Sequence, residues 1–230
     1  MKYKTVFPLI TLFIVFMIKT SGQGVSGHTN GSKETPDPDT IINWLKAGNN
    51  EFVHGQFNVH AIDSSLRIAL STGQHPKAVI LTCSDSRVPP ELIFNKSLGD
   101  LFVIRVAGNI SDDAVVASIE YAVEHLHTSL VVVMGHQNCG AIGAAVADMQ
   151  NPGNKIDNHV RILTDKIEQA INTVNLNEPD FTQKALRSNV IFTVKSLQQS
   201  RPVLNEAIHK HELKIVGAVY DLKTGKVEWL

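Results

Sequence analysis

The sequence is poor in cysteine and has no excess of charge of either sign. It contains two cysteines in 230 residues, whereas a small secreted domain held together by disulfides carries many more, so that class of protein is excluded. Its 21 basic and 22 acidic residues give a net charge of −1. Because no block of basic residues stands out from this balance, we expect no nucleic acid among its partners.

The sequence also lacks an uninterrupted apolar stretch of the ~20 residues that cross a bilayer as a helix. The N-terminal apolar run, residues 5–18, follows Lys2 and Lys4 and precedes the small residues at 20–22. This order is typical of a secretory signal. We therefore predict that residues 1–22 are a signal peptide and that the protein is exported, either periplasmic or secreted, with no stable membrane insertion after cleavage. An uncleaved membrane anchor is the alternative interpretation.

The rest of the chain divides into a short linker and one domain. Residues 23–38 are rich in Gly, Ser, Thr, Asn and Pro, a composition typical of a flexible linker. Residues 39–230 have the length of a single domain. We expect Asp39 and Thr40 to cap its first helix, and the apolar spacing over residues 155–171 predicts a longer helix further on.

Runs rich in Val, Ile and Leu indicate buried strands at residues 78–82, 101–106, 130–134 and 214–220. Segments with helical spacing of apolar residues separate these runs, and one of them covers 181–199. Strands that are apolar throughout are typical of a sheet covered on both faces. The order of the elements therefore predicts an α/β fold, with a mainly parallel β-sheet flanked by helices.

The two cysteines follow two of these strands. Cys83 comes directly after the strand at 78–82, and His136 and Cys139 follow the strand at 130–134. Because sites in such sheets form at the carboxyl ends of strands, we expect these three side chains to meet. Two thiolates and one imidazole can bind a zinc ion and leave its fourth position open, as in catalytic sites. The alternative is a disulfide between the two cysteines.

An acid–base pair lies next to the first cysteine, in the segment Cys83-Ser84-Asp85-Ser86-Arg87. A zinc ion lowers the pKa of bound water and supplies hydroxide near neutral pH. A carboxylate that accepts the hydroxide proton would direct the oxygen lone pair towards a substrate. We predict this role for Asp85, and we expect Arg87 to keep Asp85 ionised and oriented. A structural surface salt bridge is the alternative.

These motifs resemble those of the β-class carbonic anhydrases, here in an exported, bacterial-type form. Cys-Ser-Asp-Ser-Arg is followed by His-x-x-Cys-Gly, and further similar segments lie at residues 48–53, 73–74, 99–109, 118–123 and 217–222. The resemblance covers the chain from about residue 40 to the C-terminus. It implies a four-stranded parallel core with an extra antiparallel segment, assembled as a homodimer or homotetramer. It also implies a reaction, the zinc-dependent hydration of CO2 to bicarbonate and a proton.

The resemblance further implies a small pocket for CO2. Its residues would be Gln74, Phe102 and Tyr121, partly from the neighbouring subunit, with the backbone of Gly140 near them. Phe102 as a plain core residue and Gln74 as a loop residue are the alternatives.

One departure concerns an inhibitory bicarbonate pocket that some β-class enzymes have. Those enzymes carry a tryptophan three residues before the first ligand, where this sequence has Ile80. The matching Arg105 and Tyr220 are present, so this pocket is incomplete.

Two other functions are compatible with the same ligands. A related enzyme on this fold could hydrolyse carbonyl sulfide or carbon disulfide. The width of the pocket would decide between these substrates and CO2. A non-catalytic zinc-binding protein is the second alternative, although zinc storage does not require the pair Asp85 and Arg87.

Overall fold

The computed structural model describes residues 37–57 and 62–230. The predicted signal peptide at 1–22 lies outside the described residues, as does all of the predicted linker except its last two residues. Both therefore stay predictions. In the described part of the chain, no helix is long and apolar enough to cross a membrane.

Five strands of the described residues form one sheet. They are Ala78–Thr82 (β1), Leu101–Arg105 (β2), Leu130–His136 (β3), Lys214–Tyr220 (β4) and Val227–Trp229 (β5). Their order in the sheet is β2–β1–β3–β4–β5. The first four strands are parallel, and β5 pairs antiparallel with β4. The predicted α/β fold with a mainly parallel sheet is confirmed.

Helices cover both faces of this sheet. The α-helices of the described residues are Pro38–Val53 (α1), Ser64–Leu70 (α2), Pro90–Ile93 (α3), Asp113–Leu126 (α4), Gly140–Gln150 (α5), Arg161–Ile171 (α6), Phe181–Gln199 (α7) and Val203–His209 (α8). One apolar core joins the sheet to α1 and α3, and a second joins it to α4 through α8. Every residue of β1 and β3 is buried. This burial explains why both strands are apolar throughout instead of alternating.

The first helix begins earlier than its sequence predicts. Asp37 is the cap, because its Oδ2 accepts a hydrogen bond of 3.0 Å from the backbone N–H of Thr40. Pro38 follows at the first helical position, where its fixed φ suits the helix and its missing N–H is not needed. The prediction that Asp39 and Thr40 cap the helix is therefore wrong, and both residues lie in its first turn.

The predicted helix over 155–171 is wrong in its first six residues, because α6 begins at Arg161. The backbone N–H of Ile156 donates to Oδ1 of Asp148 at 3.1 Å, and Lys155 pairs with Glu168 at 2.7 Å. These contacts hold the segment before α6 as a loop against α5 and α6.

The register of the sheet brings the ligand-bearing ends together. Thr82, the last residue of β1, lies opposite Met134 of β3, and its hydroxyl donates to the Met134 carbonyl at 2.8 Å. Cys83 follows directly, while β3 continues to His136. Gly135 lies between Met134 and His136 and leaves room for α7, since a Cβ at this position would lie 2.6 Å from Val190 Cγ2.

Candidate metal centre

The three predicted ligands meet at the carboxyl ends of β1 and β3. Cys83 follows β1, His136 ends β3, and Cys139 is the residue before the first turn of α5. All three side chains are buried, and their ligand atoms lie within 4.8 Å of one another. The sequence prediction that these residues converge is therefore confirmed.

The spacing of the two sulfurs fits a tetrahedral zinc ion. Sγ of Cys83 lies 3.9 Å from Sγ of Cys139. Two Zn–S bonds of about 2.3 Å at the tetrahedral angle separate their sulfurs by about 3.8 Å. A disulfide requires an S–S bond of about 2.05 Å, and both cysteines are free. The two sulfurs are therefore placed for a shared metal ion.

The histidine also fits a metal ligand. Nδ1 of His136 lies 2.9 Å from the carbonyl oxygen of Gln137, so a proton on Nδ1 is donated there and the lone pair is left on Nε2. Nε2 is buried and has no hydrogen-bond partner among the described residues. A buried polar atom without a partner is unfavourable, and a zinc ion held by Cys83, His136 and Cys139 would satisfy it.

The surroundings of Cys83 favour the thiolate form that zinc binds. A hydrogen bond from the Cys139 thiol lowers the pKa of Cys83 to about 4, and the backbone N–H of Gly108 contributes. That N–H lies 3.4 Å from Sγ of Cys83. Sharing the proton raises the pKa of Cys139 in turn. Of the two sulfurs, that of Cys83 is therefore the more readily ionised.

The acid–base pair stands beside these ligands. Arg87 donates to Asp85 through two parallel bonds, Nε to Oδ1 at 2.9 Å and Nη2 to Oδ2 at 2.7 Å. These hydrogen bonds hold the pKa of Asp85 well below its usual range. Oδ2 of Asp85 also lies 3.9 Å from Nε2 of His136. The Asp85 side chain is 17% exposed and that of Arg87 is 55% exposed, so the carboxylate faces the ligands while the guanidinium lies towards solvent.

The predicted pocket residues are more scattered within the single chain. Phe102 of β2 and Tyr121 of α4 come together, with ring centroids 6.4 Å apart. The side chain of Tyr121 is 48% exposed, and Gln74 and Gly140 are exposed as well.

A cavity of about 170 Å³ adjoins the ligands and is lined by His136, Cys139 and residues of α7. None of the four predicted pocket residues lines this cavity. Their role as a pocket stays a prediction.

The loop that follows β1 and carries Cys83 and Asp85, here called the ligand loop, accepts hydrogen bonds from two residues. The sequence motifs do not predict these contacts. Gly108 donates its backbone N–H to Cys83, as described above. Arg105 donates through its side chain to two carbonyl oxygens of the loop. Both residues lie just after or at the end of β2, the neighbour of β1. Only the pairing of β2 with β1 brings them to the site.

The paired sulfurs lead to a prediction about the metal-free protein. Chelation of the metal in air should give a Cys83–Cys139 disulfide, because the two freed sulfurs lie side by side and dioxygen takes up two electrons from them. The two thiol groups supply two protons, directly or through solvent, and dioxygen becomes hydrogen peroxide. The sulfurs must move closer by roughly 2 Å, which requires a small shift of the ligand loop. The measurement is a thiol count with a non-reducing peptide map. Zinc should bind again only after reduction.

A parallel sample chelated without oxygen is the control and should keep two thiols. If two thiols also persist for days in air and zinc alone restores binding, the loop is too rigid to close and the prediction fails.

Comparison with known proteins matches this geometry to one family. The family model described as "Carbonic anhydrase" matches residues 78–227. Carbonic anhydrase 2 of Mycobacterium tuberculosis is 39% identical over 193 residues, which cover 83% of this chain and 93% of that protein.

Solved structures agree with the sequence matches. The β-carbonic anhydrase CcaA is 30% identical with a TM-score of 0.63, over 82% of this chain and 94% of that one. A tetrameric β-carbonic anhydrase of Sordaria macrospora is 25% identical with a TM-score of 0.64, over 83% and 97% of the two chains. With the Cys–His–Cys group at the strand ends, these matches establish that the chain belongs to the β-carbonic anhydrase family.

Proposed function

We propose that the protein catalyses the reversible hydration of CO2 to bicarbonate and a proton, with one zinc ion per chain. The observation that carries the proposal is the position of Asp85, whose Oδ2 lies 3.9 Å from the ligand nitrogen of His136 and 2.7 Å from Nη2 of Arg87. A site that only stores zinc has no need for this oriented carboxylate.

The residues of the chain have distinct roles in this proposal. When bound by two thiolates and an imidazole, zinc supplies a nucleophile from water near neutral pH. Cys83, His136 and Cys139 hold the metal and leave one position open. Asp85 stays ionised and accepts a hydrogen bond at Oδ2 from the attacking oxygen, which orients that oxygen, while Arg87 keeps the carboxylate ionised and fixed in direction.

We further propose that a second copy of the chain completes the substrate pocket. Tyr121 and Gln74 are exposed on a single chain, and neither lines the cavity beside the ligands. The relative from Sordaria macrospora is tetrameric, which supports a homodimer or homotetramer here. In that assembly, Gln74, Phe102 and Tyr121 would face CO2 near the backbone of Gly140. Light scattering tests this, because a purely monomeric, active enzyme excludes a shared pocket.

Export is a separate proposal, and it rests on the sequence of residues 1–22 alone. The basic, apolar and small segments follow one another in the order of a secretory signal. Expression of the full chain in bacteria, followed by cell fractionation and N-terminal sequencing, tests it. A mature chain that begins near Gln23 outside the cytoplasm supports export, and an intact cytoplasmic chain excludes it.

Stopped-flow measurement of CO2 hydration by metal-analysed protein tests the proposed reaction. We expect turnover in proportion to the zinc content, and hydrolysis of carbonyl sulfide and carbon disulfide should be much slower. Faster hydrolysis of either sulfur compound would make the protein a hydrolase of that compound. Zinc-loaded protein without activity on any of the three substrates would make it a non-catalytic zinc-binding protein.

A further inference from the structure

The side chain of Arg105 reaches across from β2 to the loop that carries the first metal ligand. Arg105 ends β2 and lies opposite Thr82, the last residue of β1. Its Nε donates to the carbonyl oxygen of Cys83 at 3.2 Å, and its Nη2 donates to that of Asp85 at 2.6 Å. One guanidinium group therefore contacts both the ligand residue and the residue that carries the carboxylate.

The other contacts of this loop hold different atoms. Arg87 holds the Asp85 carboxylate through its side chain and its backbone N–H. The backbone N–H of Val88 donates to the Asp85 carbonyl at 3.0 Å, which closes a turn within the loop itself. Arg105 instead connects the main chain of this turn to a neighbouring strand of the sheet.

We infer that Arg105 is a positioning residue for Asp85. Its two donors are rigidly spaced in a planar fork, so bonding to both carbonyls fixes the distance and direction from residue 83 to residue 85. That spacing sets the separation of 3.9 Å between Oδ2 of Asp85 and Nε2 of His136. Because Arg105 touches only main-chain oxygens of this loop, it acts through Asp85 and takes no direct part in the reaction.

The inference rests on the proposed function where it concerns turnover, but the contact itself has an independent readout. Two backbone amides depend on the turn, those of Arg87 and Val88, since both donate to Asp85. If Arg105 holds this turn on the sheet, removal of its guanidinium lets the turn open more often. These amides then exchange their hydrogens faster, while amides of the core do not.

Three variants of the zinc-loaded protein test this. Arg105→Met keeps the stem and removes every donor. Arg105→Lys keeps the charge but has one nitrogen, which cannot span two carbonyls as the fork does. Arg67→Met is the matched control, because Arg67 also donates to a backbone carbonyl, that of Ile62 at 3.3 Å, but lies in α2.

For Arg105→Met we expect amide exchange at residues 87 and 88 to accelerate about 10- to 100-fold, the range expected for loss of charged hydrogen bonds. The value of kcat/KM per bound zinc should fall by a similar factor, because small misplacements of reacting groups have effects of this size. Arg105→Lys should be intermediate in both, and Arg67→Met should match the wild type.

Several results would overturn the inference. Unchanged exchange at residues 87 and 88 in Arg105→Met would show that the turn does not need the guanidinium. Full recovery by Arg105→Lys would assign the effect to charge alone. A loss of activity that only follows loss of zinc or of global stability would make Arg105 structural. If the wild type does not hydrate CO2, the proposed function fails, and the exchange rates alone still decide whether Arg105 holds the turn.

Discussion

Replacement of His136 by alanine should abolish both metal binding and CO2 hydration. The imidazole supplies one of three protein ligands, and two thiolates alone leave half of the tetrahedral sites to water. We expect the zinc content to fall from about one per chain to near zero and the rate to fall to that of the buffer. Elemental analysis and stopped-flow hydration on the same sample measure both. Cys83→Ser should behave in the same way, since a serine hydroxyl does not replace a thiolate.

His209→Ala provides the matched control for His136→Ala. Nδ1 of His209 lies 2.6 Å from the backbone carbonyl oxygen of Asn205, and Nδ1 of His136 lies 2.9 Å from that of Gln137. His209, however, ends the distant helix α8. It should keep zinc and full activity. Because His136 lies in the buried strand β3, the substitution could disturb the fold. Circular dichroism checks that His136→Ala still folds. Wild-type turnover by a folded, zinc-free His136→Ala protein would contradict the proposed site.

The parts of the fold that the sequence predicts well are those with one dominant physical cause. β1 and β3 are buried over their whole length because helices cover both faces of the sheet, and this burial explains their runs of Val, Ile and Leu. The helix α7 matches the expected residues 181–199 because its apolar spacing is long and unbroken. The two sulfur ligands follow from scarcity, since the sequence contains only two cysteines, and His136 follows from its place three residues before Cys139.

Other features depended on choices between similar local signals. Asp37 and Asp39 are both capping residues by type, and only the helical position of Pro38 decides between them. Ile156 and Val160 have helical spacing, but the carboxylate of Asp148 binds the backbone N–H of Ile156 from another helix. Spacing along the chain contains no information about such a contact.

The support around the ligands was the least predictable part of the site. Arg105 reaches the carbonyls of Cys83 and Asp85 because β2 lies beside β1 with Arg105 opposite Thr82. Gly108 reaches Cys83 through the same pairing of strands. A sequence motif specifies the chemistry of a side chain, whereas these hydrogen bonds follow from the order and register of strands that are distant in the sequence.

One substitution can separate the role of the carboxylate from that of the three metal ligands. Asp85→Asn should leave zinc in place and remove most of the turnover. The three ligands are unchanged, and asparagine has nearly the same shape, so zinc content and thermal midpoint should stay close to those of the wild type. The amide lacks the negative charge and offers N–H donors at one position where Asp85 has an accepting oxygen. The proton of the attacking group then has no partner at this position.

Loss of one oriented electrostatic contact at a reacting centre lowers rates by about 10²- to 10³-fold, and we expect kcat/KM of Asp85→Asn to fall within that range. Asp165→Asn is the matched control, because Asp165 also pairs with an arginine, Arg161 at 2.6 Å on α6, away from the metal. It should hydrate CO2 at the wild-type rate. If Asp85→Asn does so too with its zinc retained, the carboxylate is not the required hydrogen-bond acceptor, and the ion pair with Arg87 only holds the loop. If instead Asp85→Asn loses zinc, the carboxylate supports the metal itself, and its role as an orienting group is wrong.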